Sequence, residues 1–256
     1  MKEKNSLNTK GMISVCLAAH NGSRYIKRQV ESILQQLGDN DELIISDDGS
    51  TDNTLNIVEA FADNRIKIVK FKQPDNNVKV SIKVALNFQN ALIHAKGDFI
   101  FLSDQDDFWL PTKVEDCMRI LMNCDLVVHN FRLCDEELRF TGVNQYRSNY
   151  HFNDYLALCN TYYGCTMAFS KHVLSYALPF PRKLELHDFW LGIISESLGK
   201  VLYIDKPLID YRVQNTSVSH ASNYSFIHKI SYRMYILKHL ILRVVKFKFK
   251  LLCQKF

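Results

Sequence analysis

Gly97-Asp98-Phe99-Ile100-Phe101-Leu102-Ser103-Asp104-Gln105-Asp106-Asp107-Phe108-Trp109 runs from an apolar stretch into three carboxylates within four positions. Phe99 to Leu102 are aromatic or branched, which reads as a short buried strand. The acidic cluster follows it without a spacer. Two other runs have the same form: Ile13–Ala18 leads into Ala18-Ala19-His20-Asn21-Gly22, and Leu43–Ser46 leads into Ser46-Asp47-Asp48-Gly49-Ser50-Thr51-Asp52. Ile66–Phe71 and Leu126–His129 read as further strands.

Between these runs the apolar period changes from continuous to helical. Ile26, Val30, Ile33, Leu34 and Leu37 share one face across Arg24–Leu37; Leu55, Val58 and Phe61 form a second set, and Val84, Phe88, Ala91 and Leu92 a third. Strand and helix alternate, which predicts an α/β domain with a mostly parallel sheet covered on both faces. Ligands of such sheets bind beyond the carboxyl ends of the strands, where the polar clusters fall. Adjacent carboxylates repel, so they imply a cation or a donor-rich ligand. Asp47-Asp48-Gly49-Ser50 is also consistent with a strand-to-helix turn carrying an N-cap. The run Asp104-Gln105-Asp106-Asp107 fits a hard divalent cation, Mg²⁺ or Mn²⁺, whose remaining positions would take phosphate oxygens.

Composition sets the outer limits. The 256 residues are 47% hydrophobic, enough for one ordinary domain core, which excludes a disordered chain. Seven Cys without a CxxC pair argue against a disulfide framework or structural zinc and for free thiols. Met1 to Gly11 lack the apolar core of a signal peptide, and Lys238 and Arg243 interrupt the most apolar late region, so a cytoplasmic chain with no spanning helix is expected. The formal charge of +5 is unevenly divided: residues 1–210 hold all 27 acidic residues, whereas residues 211–256 hold nine basic residues and no acid.

From Tyr224 to Phe256 the apolar residues Phe226, Ile227, Ile230, Met234, Leu237, Ile241, Val244 and Val245 recur at three- and four-residue steps among Lys229, Arg233, Lys238 and Lys246. This predicts a basic amphipathic helix, residues 223–256, following a domain of residues 1–222. The helix either packs on the domain with a solvated basic face or lies on an anionic membrane surface. The negative balance of the body argues against a nucleic-acid partner.

With these motifs in order along residues 11–215, the sequence resembles family 2 of the inverting, nucleotide-sugar-dependent glycosyltransferases. The resemblance implies the GT-A fold, a Rossmann-like, mixed but mostly parallel sheet flanked by helices. Ser14–Asn21 looks like the opening strand and donor-side loop, and Ile45–Asp52 like the nucleotide-binding turn. Gly97–Trp109 resembles the strand and DxD motif of the branch that builds bacterial surface polysaccharides. Gly164-Cys165-Thr166-Met167-Ala168-Phe169 resembles the glycine-led segment beside the sugar pocket. His187-Asp188-Phe189-Trp190 is similar to the acidic motif that supplies the catalytic base. Tyr211-Arg212-Val213-Gln214-Asn215 is similar to a late Tyr-Arg-x-His pattern, with Gln214 where His is usual.

The resemblance assigns roles. Asp188 is the expected base, although an Asp before an apolar helix also reads as an N-cap. Asp106, helped by Asp104, is expected to hold Mn²⁺ or Mg²⁺, with Asp107 as a lesser candidate. The nucleotide sugar is expected against Ala18, His20, Asn21, Asp47, Asp48, Lys83, Asp104, Gln105, Trp109, Gly164, His187 and Arg212. The implied donor is a UDP-hexose, or alternatively a dTDP-rhamnose; the implied acceptor is a lipid-linked glycan at the inner face of a bacterial membrane. The residues by themselves also admit a nucleotidyl- or phosphoryl-transferring α/β enzyme, or a membrane-docked sugar-nucleotide-binding protein with a degenerate site.

Overall fold

The computed structural model describes residues 11–75, 77–144, 162–213 and 226–253. Its first half alternates as the periodicities require: β1 (Ile13–Ala19), α1 (Ile26–Leu34), β2 (Glu42–Asp47), α2 (Thr54–Glu59), β3 (Ile66–Lys70), α3 (Val80–His94) and β4 (Phe99–Ser103). Then follow β5 (Phe108–Trp109), α4 (Lys113–Leu121), β6 (Leu126–Cys134), β7 (Phe140–Asn144) and a 3-10 turn at Gly164–Thr166. The chain continues through β8 (Met167–Ser170), α5 (His172–Ala177), α6 (His187–Leu198), β9 (Val201–Arg212) and α7 (Phe226–Cys253).

The strands form one sheet in the order β3-β2-β1-β4-β8-β6-β9-β5, with β7 paired to β6. β3, β2, β1 and β4 are mutually parallel, and so are β6 and β9, while β8 is antiparallel to both β4 and β6. Strand order reverses at β1, where the first crossovers run one way to β2 and β3 and the next returns to β4. That reversal opens a crevice beyond the carboxyl ends of β1 and β4.

Period-two alternation divides the core between the two faces. Cys16, Ile44, Ile100, Leu102, Leu126 and Val128 point toward α3, α5, α6 and α7. Val15, Leu17, Leu43, Ile45, Phe101 and Val127 point toward α1 and α4. Both sides are apolar, which explains why these strands read as continuous runs. Buried polar bonds fix the strand ends at the crevice: Asn87 on α3 donates to the Ala19 carbonyl (3.2 Å) and accepts from Ser46 (2.5 Å), while Gln29 on α1 donates to Ser103 (2.6 Å).

The periodic stretch Arg24–Leu37 is longer than α1. Leu37 remains buried, but the helix ends at Leu34 because the Arg65 guanidinium takes the Leu34 and Leu37 carbonyls at 3.1 and 2.7 Å. β9 was not legible as a strand, since Asp205-Lys206-Pro207 interrupts its apolar pattern. The interruption is real: its register on β6 shifts where Pro207 faces Asn130.

The C-terminal helix packs on the body. Ile236 and Leu240 are buried in the same cluster as Phe189, Trp190 and Ile194 of α6, and Arg243 donates to the carbonyls of Tyr176, Leu178 and Pro179. None of the described helices is long and apolar enough to cross a membrane. The six described cysteines are unpaired, and Cys159 lies outside the described residues.

Candidate active site

The crevice is built from three strand ends and two later segments. After β1 the chain turns at Asn21, held at φ 49° in the left-handed region. There Asn21 accepts from Thr51 N–H (2.8 Å), and His20 Nδ1 lies 2.8 Å from the Asp48 carbonyl, so the β1 and β2 loops form one wall. Ala18, on β1, is partly buried against the core at that end.

Gln105 acts as a clamp. Its amide accepts from His20 N–H (2.9 Å) and donates to the His20 carbonyl (3.0 Å), joining the acidic loop to the β1 loop. Gly22 leaves room for this clamp: an added Cβ would meet Gln105 Oε1 at 2.3 Å and push the Gln105 side chain aside. Gln105, expected at the donor, therefore spends its hydrogen-bonding groups on the protein. Two further residues expected at the donor are likewise engaged within the protein. Trp109, expected beside the donor, is 1% exposed and packs on Phe101 and beneath the Lys113 ammonium, so its ring offers no face to the crevice. Asp47 is buried and accepts from the Gly49 and Ser50 N–H groups, forming the turn, whereas Asp48 is partly exposed and bonded to Gln73 (2.6 Å). Lys83 is partly exposed on α3, and its carbonyl receives the same Gln73 amide.

The acidic loop faces the Gly164–Thr166 turn because β8 runs antiparallel to β4. Pairing of Phe101 with Ala168 carries the residues before Ala168 past the carboxyl end of β4. Ligand atoms of Asp104, Asp107 and Cys165 consequently lie within 4.8 Å of one another. Burial, reinforced by Asp106 and Asp188, pushes the Asp104 carboxyl up; burial, reinforced by Asp106 and Asp104, raises Asp107 well above the usual range. Burial raises Asp106 too, against the pull of the Arg212 guanidinium. Asp107 accepts from Arg212 N–H at 3.2 Å through Oδ1, while its buried Oδ2 has no hydrogen-bond partner among the described residues.

Two cations flank the cluster. Lys113 is fully buried at the start of α4, donates to the Cys165 carbonyl (2.5 Å), and is pulled down to about 8 by burial. Arg212 is buried over the Tyr25 ring (4.3 Å) and donates to the Asp106 carbonyl (2.8 Å) and to that of Glu136. A cation at a helix start is unfavourable by itself, and the carboxylates beside Lys113 explain its burial there.

The residues fit a hard divalent ion. Oxygen donors suit Mg²⁺ or Mn²⁺, and the orphaned Asp107 Oδ2 is the kind of buried acceptor such an ion satisfies. Cys165 fits poorly, since burial pushes its thiol well above 9 and thus away from the thiolate that binds metals. The ranking of Asp106 over Asp107 is thus not supported by the side-chain convergence, which pairs Asp104 with Asp107.

Asp188 stands beside the Gly164–Thr166 turn, its Cβ 3.8 Å from where a Cβ on Gly164 would lie. It lies in the first turn of α6, whose N-cap position is Leu186, and its Oδ1 accepts from Phe189 N–H at 2.7 Å. It is therefore not the N-cap. The adjacent His187 is buried, stacked on Phe88 at 4.1 Å, and held neutral by burial, with its ionisation lowered to about 3. Its Nε2 approaches Gly164, where a Cβ would come within 2.9 Å. Tyr163, half-buried among Phe131 and Tyr211, completes this wall, and burial and the Asp188 charge raise its hydroxyl. Gln214 and Asn215 lie outside the described residues.

Sequence reasoning missed Lys113, Tyr163 and the closeness of Cys165 to the carboxylates. A lysine opening an amphipathic helix reads as surface, and only the strand order reveals its burial.

Residues 14–174 match the family model described as glycosyl transferase family 2. The chain is 31% identical over 212 residues, 81% of its length and 80% of the relative, to the UDP-Glc:alpha-D-GlcNAc-diphosphoundecaprenol beta-1,3-glucosyltransferase WfaP of Escherichia coli. Among solved structures, S. aureus TarS 1-349 in complex with UDP-GlcNAc superimposes with a TM-score of 0.68 at 18% identity, covering 88% of this chain and 66% of that one. The mannosyltransferase PcManGT from Pyrobaculum calidifontis, in complex with GDP-Man and Mn²⁺, gives a TM-score of 0.57 at 16% identity, covering 90% and 73%. The architecture is the GT-A fold.

Proposed function

Since the chain belongs to glycosyl transferase family 2, we propose that it transfers a hexosyl group from a UDP-sugar to a lipid-linked acceptor of a bacterial surface glycan, with inversion at the anomeric carbon. The observation that carries this reading is that Asp188 and the carboxylate cluster meet at one turn: a Cβ at Gly164 would lie 3.8 Å from the Asp188 Cβ, and the next residue, Cys165, lies within 4.8 Å of Asp104 and Asp107. A donor seated along the β1, β2 and β4 loops presents its diphosphate to the acidic cluster and its sugar toward Gly164 and Tyr163. The relative's UDP-glucose and diphosphoundecaprenol-linked substrates support the choice of donor and acceptor class.

The reaction is a single displacement. An acceptor hydroxyl attacks the anomeric carbon, its proton passes to the Asp188 carboxylate, and the bond from that carbon to the diphosphate oxygen breaks to release UDP. His187 is neutral and rigid, so it holds the start of α6 in place without competing for the proton. Asp104 and Asp107, with Asp106 beside them, are the residues that would hold Mn²⁺ or Mg²⁺, and such an ion supplies Lewis-acid stabilisation of the leaving diphosphate. Lys113 and Arg212 keep the carboxylates in position by partial neutralisation. The chain is read as working peripherally at the cytoplasmic face of the membrane that contains the acceptor, attached through its basic C-terminal helix.

Asp188→Asn tests the assignment. Turnover is expected to fall about 10²- to 10⁴-fold, the usual contribution of a general base, with UDP binding retained. Retention of most turnover would instead favour a nucleotidyl or phosphoryl transfer that needs no base at this position.

A further inference from the structure

α7 has two apolar sides, and only one is covered among the described residues. Its inner side carries Ile236 and Leu240 into the core. The opposite side, at helical spacing, carries Ile227, Ile230, Met234, Ile241, Val245 and Leu252, with Ile227 79% and Val245 62% exposed. Leu242 and Phe249 widen this stripe. A row of this length is more than scattered surface hydrophobics and marks an interaction surface.

The charge around the stripe selects the occupant. Lys238 and Lys248 lie within its arc, Lys246 borders it, and residues 211–256 contain no acidic side chain. A second copy of the helix would bring like charges together along the same row, which opposes self-pairing. An anionic bilayer complements both features: the apolar residues enter the headgroup boundary and the lysines meet lipid phosphates.

The inner edge of the same helix reaches the segment before Asp188. The Tyr232 hydroxyl accepts from the Glu185 and Leu186 N–H groups at 2.9 and 3.2 Å, and the Arg233 guanidinium lies over the Phe189 ring at 5.3 Å. The N-cap residue of α6, Leu186, makes no side-chain cap bond, and Tyr232 anchors from the tail the two residues that lead into the helix. We infer that α7 docks on an anionic lipid surface through the Ile227–Leu252 stripe and, through Tyr232, holds the Asp188 segment about one helix diameter, ~10 Å, from the headgroups. This deepens, and rests on, the reading of a lipid-linked acceptor.

The test is co-sedimentation of the full chain with vesicles of phosphatidylglycerol and phosphatidylcholine, against phosphatidylcholine alone, with UDP release from UDP-glucose measured alongside with Mn²⁺ and a detergent-solubilised polyprenyl diphosphate-linked sugar as acceptor. The full chain is expected to pellet with the anionic vesicles. Ile241→Glu/Val245→Glu is expected to lower partitioning at least about tenfold, and Lys238→Glu/Lys248→Glu about fivefold or more for each lysine. Both variants alter exposed residues and should release UDP at the wild-type rate. Wild-type protein that stays in solution, or variants that pellet as well as wild type, would overturn the inference. So would a wild-type dimer, dissociated by Ile241→Glu/Val245→Glu, that does not bind vesicles. Vesicle binding without UDP release from any donor would leave docking standing and refute the proposed function instead.

Discussion

Replacing Tyr232 by Phe removes one oxygen and keeps the ring. That oxygen accepts from two backbone N–H groups, of Glu185 and Leu186, at the start of a helix without a side-chain cap. Stacking of the ring near His228 and Tyr235, with centroids 6.4 Å from each, persists in the variant. A neutral hydrogen bond nets about 1 kcal/mol, so losing the two that Tyr232 accepts should cost about 1–2 kcal/mol of stability. Asp188 is two residues beyond Leu186, so fraying of this turn draws the base away from its reactive orientation. If about 1 kcal/mol of that cost reaches the transition state, kcat falls about fivefold. The donor site lies on other elements, so KM for the donor should stay within about twofold. Urea unfolding and initial rates of UDP release measure the two effects. A variant within about 0.3 kcal/mol of wild type, or one whose defect lies in donor KM rather than kcat, would refute the anchoring argument.

Gly164→Ala should be more damaging to rate than to folding. Its Cβ meets His187 Nε2 at 2.9 Å, and His187 cannot retreat because Phe88 stacks on it; displacement of the neighbouring Asp188 by ~1 Å would lower kcat about 10²-fold, read by steady-state kinetics against unchanged UDP affinity. Chelation should abolish turnover, and Asp107→Asn should raise the Mn²⁺ concentration needed to restore it, as followed by titrating the metal into stripped protein; restoration at the wild-type concentration would remove Asp107 from the metal site. Acid should expose the cost of His129. Burial holds its imidazole neutral in the folded chain, well below the ordinary 6.5, so below that pH only the unfolded chain takes up the proton and stability falls. Between pH 7 and 5 wild type should therefore lose stability that His129→Asn does not, so their urea melts should converge as pH falls, parallel pH curves contradicting it.

The parts of the fold legible in the sequence were those with a single physical cause. β1, β2 and β4 are buried on both faces, so their residues had to be apolar without interruption, and the polar residues just beyond them had to belong to the crevice. β5 is two residues long, β8 four, and β9 is broken by Pro207; none carries enough periodicity to be read. Missing β8 concealed the most consequential arrangement, because its antiparallel insertion beside β4 is what brings Cys165 and Gly164 to the carboxylates. The residues at strand ends, His20, Asn21, Asp48 and Asp104, could be placed in the crevice from sequence. The long-range convergence of Lys113, Asp107 and Tyr163 there could not. The basic tail presented two alternatives, packing or an outward surface; packing is observed on one side, and the other remains exposed because a helix this apolar has more nonpolar side chains than one contact face can cover.

The most direct measurement of the central claim is transfer itself. Purified chain, Mn²⁺, UDP-glucose labelled in the sugar and a polyprenyl diphosphate-linked sugar acceptor should yield labelled lipid and an equal amount of UDP, with a β linkage in the product. The account predicts that Asp188→Asn loses this product while still binding UDP. Label that never enters the lipid with any UDP-hexose, or a product formed with retained anomeric configuration or undiminished by Asp188→Asn, would contradict it.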